Sequence, residues 1–260
     1  MAAVYAWSRY SDDLGDEAPF PSEIRTRLLK RWADLTKEAA SNSWTGKAHH
    51  PILVALQKAG QKYNFPIELF LNLTEAFTLD QGPLKPNTIA DLVNYSKLSA
   101  NPVGRLVLLI FGINNRQIEE RSDSICTGLQ IANLMQDVRR DAEIKRVYIP
   151  RELLQKEGIS ENEVLALESS IGLQKAILQV TEYAKQLLKE GRKMIPNLPP
   201  HLNVQIDLFA RGGELIIEAI EKQKGRTMIK RPRIGIISRL RLITRGWLLK
   251  SHLKNLNSNG

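Results

Sequence analysis

The chain has 260 residues, 43% of them hydrophobic, and 37 Lys and Arg against 28 Asp and Glu give a net charge of +9. This is enough apolar material for one large core or two small ones, and the single cysteine, Cys126, excludes an internal disulfide and makes a reducing compartment the default. No run reaches the ~18 uncharged apolar residues of a membrane span, and the N-terminus, which reaches its fourth acid at Glu17 without an apolar stretch, does not read as a signal peptide, so the cytoplasm is the expected location.

Helical punctuation recurs along the chain. The stretch "MAAVYAWSRYSDDLGDE" opens in the middle of a helix pattern with no capping residue. Ser22 then starts a helix with Ile24, Leu28, Trp32 and Leu35 on one stripe. Pro51 and Pro66 fall where first-turn prolines fall. Thr88 can cap the next helix and Pro102 restarts the chain into "VGRLVLLIFG". A long segment follows from about 116 to 141. Ser160 and Glu163 fit a capping box, and periodic segments run from about 173 to 193 and from about 202 to 224. No alternating strand pattern, two-residue hairpin or internal repeat interrupts them. The expectation is an all-α, single-domain helical bundle over residues 1–225 with more than four helices. A basic segment, 226–260, should follow. From Lys222 to the end there are eleven Lys and Arg and no Asp or Glu, mixed with Ile, Leu and Trp247. Such a mixture suits an anionic membrane surface, a nucleic acid or a solvated tail.

Four residues advance a helix by ~400°, so positions i and i+4 share a face. Cys126, Gln130, Asn133, Asp137 and Asp141 form one such stripe, and Ile125, Leu129, Ile131, Leu134 and Val138 occupy the other faces. Near the N-terminus Asp12 and Asp16 repeat the spacing, with Arg9 and Tyr5 continuing the stripe upward. Solvated helix faces produce Asp-x-x-x-Asp as well. Yet two instances with apolar flanks fit a pair of interior carboxylate sets, which need cations. Oxygen ligands of this kind suit Mg²⁺ better than Zn²⁺. Mg²⁺ held between facing pairs could turn a diphosphate into a leaving group, and an apolar helical cavity would keep water from the resulting carbocation. The four His lack metal-ligand spacing, Cys126 has no activating partner, and there is no Gly-rich phosphate loop.

These motifs resemble the squalene/phytoene synthase family. The first aspartate motif stands as "DDLGD", the second as "NLMQDVRRD" followed by "KRVYIP", and "YSKLSANPVGRLVLLIFG" is similar to the family's Tyr-containing helix. The combination looks most like the bacterial hopanoid-pathway branch, which turns farnesyl-derived presqualene diphosphate into hydroxysqualene or squalene. The resemblance implies an isoprenoid synthase fold with a central cavity and a transferase acting on prenyl diphosphates. It implies Asp12, Asp16, Asn133, Asp137 and Asp141 as the Mg²⁺ set, and Asp12, Asp137 and Tyr95 as catalytic residues. Tyr5, Arg9, Gln130, Asn133 and Arg146 would bind substrate. It admits NADPH or water as the last reactant and a partner synthase as the source of substrate.

Neighbouring readings within the resemblance are phytoene-type condensation of longer prenyl diphosphates and a non-catalytic accessory or assembly protein. Two intact aspartate motifs favour the enzyme. Since isoprenoids of this length live in or near a bilayer, Arg239, Arg241, Arg245 and Trp247 are expected to make a peripheral contact with the inner face of the membrane. No nucleic-acid motif is present, so no nucleic acid is expected as a partner. Where the family commonly has Gly-Tyr-Asp, "KGRTM" puts Arg226 at the tyrosine's place. The family also has helices before its first aspartate motif, so the chain looks N-terminally shortened. The expected consequence is an exposed apolar patch around Val4 and Trp7.

Overall fold

A computed structural model describes residues 1–82 and 84–235. Arg239, Arg241, Arg245 and Trp247, expected at the membrane, lie outside the described residues. Among the described residues there are twelve α-helices and no strand, in agreement with the all-α expectation. The first six are α1 (Ala2–Asp12), α2 (Ser22–Trp44), α3 (Pro51–Tyr63), α4 (Ile67–Leu79), α5 (Ile89–Ser99) and α6 (Asn101–Ile110). Then come α7 (Arg116–Gln136), α8 (Val138–Glu143), α9 (Arg151–Lys156), α10 (Glu161–Leu165), α11 (Ile171–Gly191) and α12 (Pro200–Lys222). No described helix is long and apolar enough to cross a membrane. The chain divides into two compact units, Met1–Leu84 with Asn94–Glu119, and Lys85–Val93 with Glu120 onward.

In the first unit, α1 is fastened to α2 by two reciprocal bonds. Trp7 Nε1 donates to Thr36 Oγ1 at 3.0 Å, and Trp32 Nε1 donates to Ser11 Oγ at 3.0 Å. Each hydroxyl gives its own proton to the carbonyl a turn back in its own helix, Ser11 to Trp7 O and Thr36 to Trp32 O, both at 2.8 Å. All four polar groups are therefore satisfied in a dry interior, where an unpaired one would cost about 1–3 kcal/mol. Trp7 stacks on Trp32 and meets Phe70 of α4 edge-on with centroids 5.0 Å apart.

Two expectations change here. Trp7 is fully buried and Val4 packs against the same cluster, so the exposed patch expected around them does not exist. The indole finds its partners in α2 and α4. The inner face of α2 is Leu29, Trp32, Thr36 and Ala39, while Ile24 is exposed. A buried threonine was invisible to an apolar pattern because its burial depends on the Trp7 indole.

The end of α2 turns on three left-handed residues, Asn42, Ser43 and Trp44, with φ of 51°, 59° and 66°. They lay the Trp44 ring across Gly60 of α3, and Trp44 Nε1 donates to Phe65 O at 2.8 Å. A Cβ on Gly60 would lie 2.2 Å from that ring. Alanine gains at most ~1 kcal/mol of helix propensity, whereas forced overpacking costs typically ~1–3 kcal/mol. Gly60→Ala should therefore lower the melting temperature, and an unchanged melt would contradict this packing.

The second unit is built on close approaches of α7, α11 and α12. A Cβ on Gly128 would meet Ala184 O and Leu188 at 3.0 Å, and one on Gly213 would meet Leu129 at 2.4 Å. Ser160 and Glu163 make the expected capping box on α10. The expected continuous helix over 116–141 is instead broken. Asp137, at φ −102° and ψ 12°, ends α7 and begins α8. Residues 226–235 pack on this unit, with Thr227 and Met228 buried and Gln136 Nε2 donating to Pro232 O at 2.8 Å.

Candidate active site

The first aspartate motif lies where α1 widens. Residues Asp13–Glu17 form a π-turn, closed by Ala18 N donating to Asp13 O at 2.8 Å. Such widened turns recur at functional sites. The extra residue in the turn carries Glu17 back onto the Arg9 face, which the 3.6-residue period did not anticipate. Arg9 Nη1 donates to Asp12 Oδ2 at 2.9 Å, and Nη2 donates to Glu17 Oε1 at 2.6 Å. Nη2 also lies 2.6 Å from Asp13 Oδ1, an ion pair by distance rather than by hydrogen-bond direction. One guanidinium thus serves three carboxylates. The Glu17 hydrogen bond, and then the Asp13 charge, raise the Arg9 pKa further.

Asp12 titrates above its ordinary value of 3.8, first because it is partly buried and then because Asp16 is close, with Arg9 opposing both. A carboxyl raised in the folded state stabilises the fold while protonated, below its unfolded pKa, and that contribution is lost as the pH rises through the folded value. At neutral pH the Asp12 carboxylate therefore has an unfavourable place that a further cation would relieve. Asp16 and Tyr5 are exposed.

Gly15 brings this turn against α4, where a Cβ would come 3.3 Å from Gln81 Nε2. Gln81 Oε1 is buried with no hydrogen-bond partner among the described residues. The next residue back, Asp80, accepts the Tyr95 hydroxyl with both carboxylate oxygens at 2.9 Å. Tyr95 is 7% exposed, so its ring is held by the same end of α4 that receives the first aspartate turn.

The second motif lies in the second unit. Asn133 is exposed, whereas Gln130, Asp137 and Asp141 are half-buried. The break at Asp137 keeps the i to i+4 ladder on both sides, with Asp137 N donating to Asn133 O and Asp141 N to Asp137 O, each at 3.0 Å. Asn133, Asp137 and Asp141 thus follow one another at successive turns. Arg231 grips Asp137 with two donors: Nε to Oδ1, and Nη2 to Oδ2 at 3.0 Å. That hydrogen bond raises the Arg231 pKa while partial burial lowers it. Gln136, buried beside it, accepts from Arg231 Nη2 at 3.4 Å. Asp141 and Arg146 line one narrow cleft with Tyr148.

Asp13, Glu17, Asp80, Gln136 and Arg231 were missed by sequence reasoning. Asp13 and Glu17 stand in the quoted motif and needed only the π-turn to join it. Arg231 is 94 residues from Asp137, and the basic run around it gave no sign that one member turns inward. Asp12, Asp13, Asp16, Asp137, Asp141 and the amide of Asn133 are hard oxygen donors of the type Mg²⁺ takes. Among the described residues no three His, Cys, Asp or Glu form a cage by themselves. Mg²⁺ commonly uses one or two carboxylates and completes its shell with waters and substrate phosphates, and the donor set fits that mode.

The family described as Squalene/phytoene synthase matches residues 1–238. The squalene synthase HpnC from Alicyclobacillus acidocaldarius superposes with a TM-score of 0.78 at 37% identity, over 85% of this chain and 82% of that one. The phytoene synthase of Thermus thermophilus is 29% identical over 73% of this chain and 62% of its own length. The hydroxysqualene synthase of Sinorhizobium fredii is 29% identical over 75% and 64%. The chain thus spans less than two thirds of the length of those two relatives. An all-α chain with two aspartate-bearing helical turns and these neighbours falls in the class of isoprenoid synthases. It belongs to the squalene/phytoene synthase family.

Proposed function

We propose that the protein is a Mg²⁺-dependent synthase that converts farnesyl-derived presqualene diphosphate to hydroxysqualene or squalene. The observation that carries this reading is the charge pattern. Each aspartate motif is partly buried and is held by one arginine, Arg9 or Arg231, and Asp12 is left with its pKa raised. Asp12 and Asp16 in the first motif, and Asn133, Asp137 and Asp141 in the second, would each take Mg²⁺, which supplies the positive charge that makes a diphosphate a competent leaving group. Arg9, Arg231 and Arg146 are donors for phosphate oxygens, a task suited to the planar guanidinium. Tyr95, oriented by Asp80, offers a ring to a developing carbocation. Tyr5 and Gln130 would line the substrate's path. The 37% identity to a squalene synthase over most of both chains supports the squalene-type reaction over the phytoene type.

The test is incubation with Mg²⁺ and presqualene diphosphate, farnesyl diphosphate or geranylgeranyl diphosphate, each with and without NADPH, reading diphosphate release and hydrocarbon product. Supplying presqualene diphosphate directly removes any need for a partner synthase. Release from presqualene diphosphate, abolished by chelation, is expected. Product from geranylgeranyl diphosphate alone would move the assignment to phytoene chemistry, and no release from any of the three would leave an accessory role.

A further inference from the structure

Beyond the aspartate motifs, the second unit carries a group of cations that the proposed chemistry does not use. Lys222, at the end of α12, lines a cleft of about 390 Å³ with Lys224, Arg226, Lys230, Gln223 and Ile229. All four cations are exposed, and none is paired with a carboxylate among the described residues. The nearest acids in sequence are engaged elsewhere, Glu221 with Lys185 at 2.7 Å and Glu218 with Arg211 at 2.9 Å. Four like charges gathered without counter-charge repel one another unless an anion joins them.

The surface beneath them is closely packed. Gly225 takes φ +71°, and a Cβ there would lie 2.5 Å from Gln174 O of α11, so only glycine lets the turn press so closely. Thr227 and Met228 are buried directly after it. These anchors turn the side chains on either side of them outward. Among the cations stands Ile229, 57% exposed. An apolar side chain ringed by lysines and an arginine is the pattern of a surface that meets lipid, where the ammonium groups stay at the phosphates and the alkyl stems lie deeper.

We propose that this cleft docks the protein on the phosphate headgroups of an anionic bilayer. Its field is not cancelled further along the sequence, because residues 222–260 contain no acid at all. Among the described residues no aromatic ring lines the cleft, so they offer none of the stacking platform that single-stranded nucleic acid uses, whereas Ile229 suits an acyl boundary. The inference is independent of the reaction assigned to the aspartate motifs, and a binding assay reads it without substrate.

The experiment is cosedimentation of the full chain with vesicles of phosphatidylglycerol and phosphatidylcholine, beside vesicles of phosphatidylcholine alone. Preference for the anionic vesicles, weakening with salt, is expected. Each Lys or Arg near such a surface is worth about fivefold in binding. Lys222→Gln, Lys224→Gln and Lys230→Gln combined should therefore lose on the order of a hundredfold. The matching triple replacement by Arg, which keeps the charge, should bind as the parent does. The proposal is overturned if the Gln variant binds anionic vesicles within about twofold of the parent, or if the Arg variant fails equally. It also falls if the parent binds both vesicle types alike, or binds single-stranded RNA in preference to anionic vesicles.

Discussion

Asp137→Asn should reduce turnover of presqualene diphosphate by on the order of 10²–10³-fold, because a bound divalent ion contributes several kcal/mol and each 1.4 kcal/mol is tenfold. Asparagine keeps the shape and the backbone break between α7 and α8 but removes the charge. Folding should survive. The Asp137 side chain is 25% exposed and that of Arg231 38%, and an ion pair so accessible to solvent is worth about 1 kcal/mol or less. A rival account is that Asp137 serves only to hold Arg231 and the 226–235 stretch in place. Under that account Arg231→Gln and Asp137→Asn would behave alike, and combining them would add nothing. If Asp137 is instead a metal ligand, Asp137→Asn should raise the Mg²⁺ concentration needed for half-maximal rate and weaken Mn²⁺ binding measured without substrate. Arg231→Gln should leave Mn²⁺ bound at least as tightly. Parent-like Mn²⁺ affinity in Asp137→Asn would remove Asp137 from the metal set.

The local features of this candidate site were more legible in the sequence than its geometry. The carboxylate spacing, the capping box at Ser160 and the first-turn proline at Pro51 depend on interactions within a few residues, and all could be read locally. What escaped the reading required contacts far apart in sequence or a departure from regular helix. Thr36 is buried because Trp7, 29 residues away, donates to it. Glu17 joins Arg9 through a π-turn, where a regular helix would leave it about 80° away around the axis. Asp137 stands in a helix break, though the flanking hydrogen bonds preserve its neighbours in register. Arg231 lies within a run of basic residues that, as composition, speaks only of charge. Its pairing with Asp137 depends on how the 226–235 stretch is anchored, by Met228 and by the Gln136 bond to Pro232 O.

Trp7→Ala should be the most damaging single change to stability in the first unit. The residue is fully buried among Trp32, Phe70 and the Thr36 hydroxyl. Truncating such a ring typically costs ~3–5 kcal/mol, against a total stability of about 5–15 kcal/mol. At roughly 2–4 °C per kcal/mol for chains of this size, the melting temperature should fall by about 10 °C. Trp7→Phe should cost less. It keeps an aromatic ring against Phe70 but loses the indole bond to Thr36 Oγ1, about 0.5–1.5 kcal/mol since that hydroxyl still donates to Trp32 O. The damage should also reach chemistry. α1 carries Arg9 and Asp12 and leads into the π-turn of Asp13–Glu17, and the bonds from Trp7 and Trp32 are what fasten it to α2. With one of the two gone, the carboxylates of the first motif lose their fixed position although none has been altered. Trp7→Ala should then lose turnover well below its own melting temperature, while Trp7→Phe retains most of it. A melting temperature within about 2 °C of the parent for Trp7→Ala would mean that α1 contributes little to the fold, and the positioning role assigned to its tryptophan would fall with it.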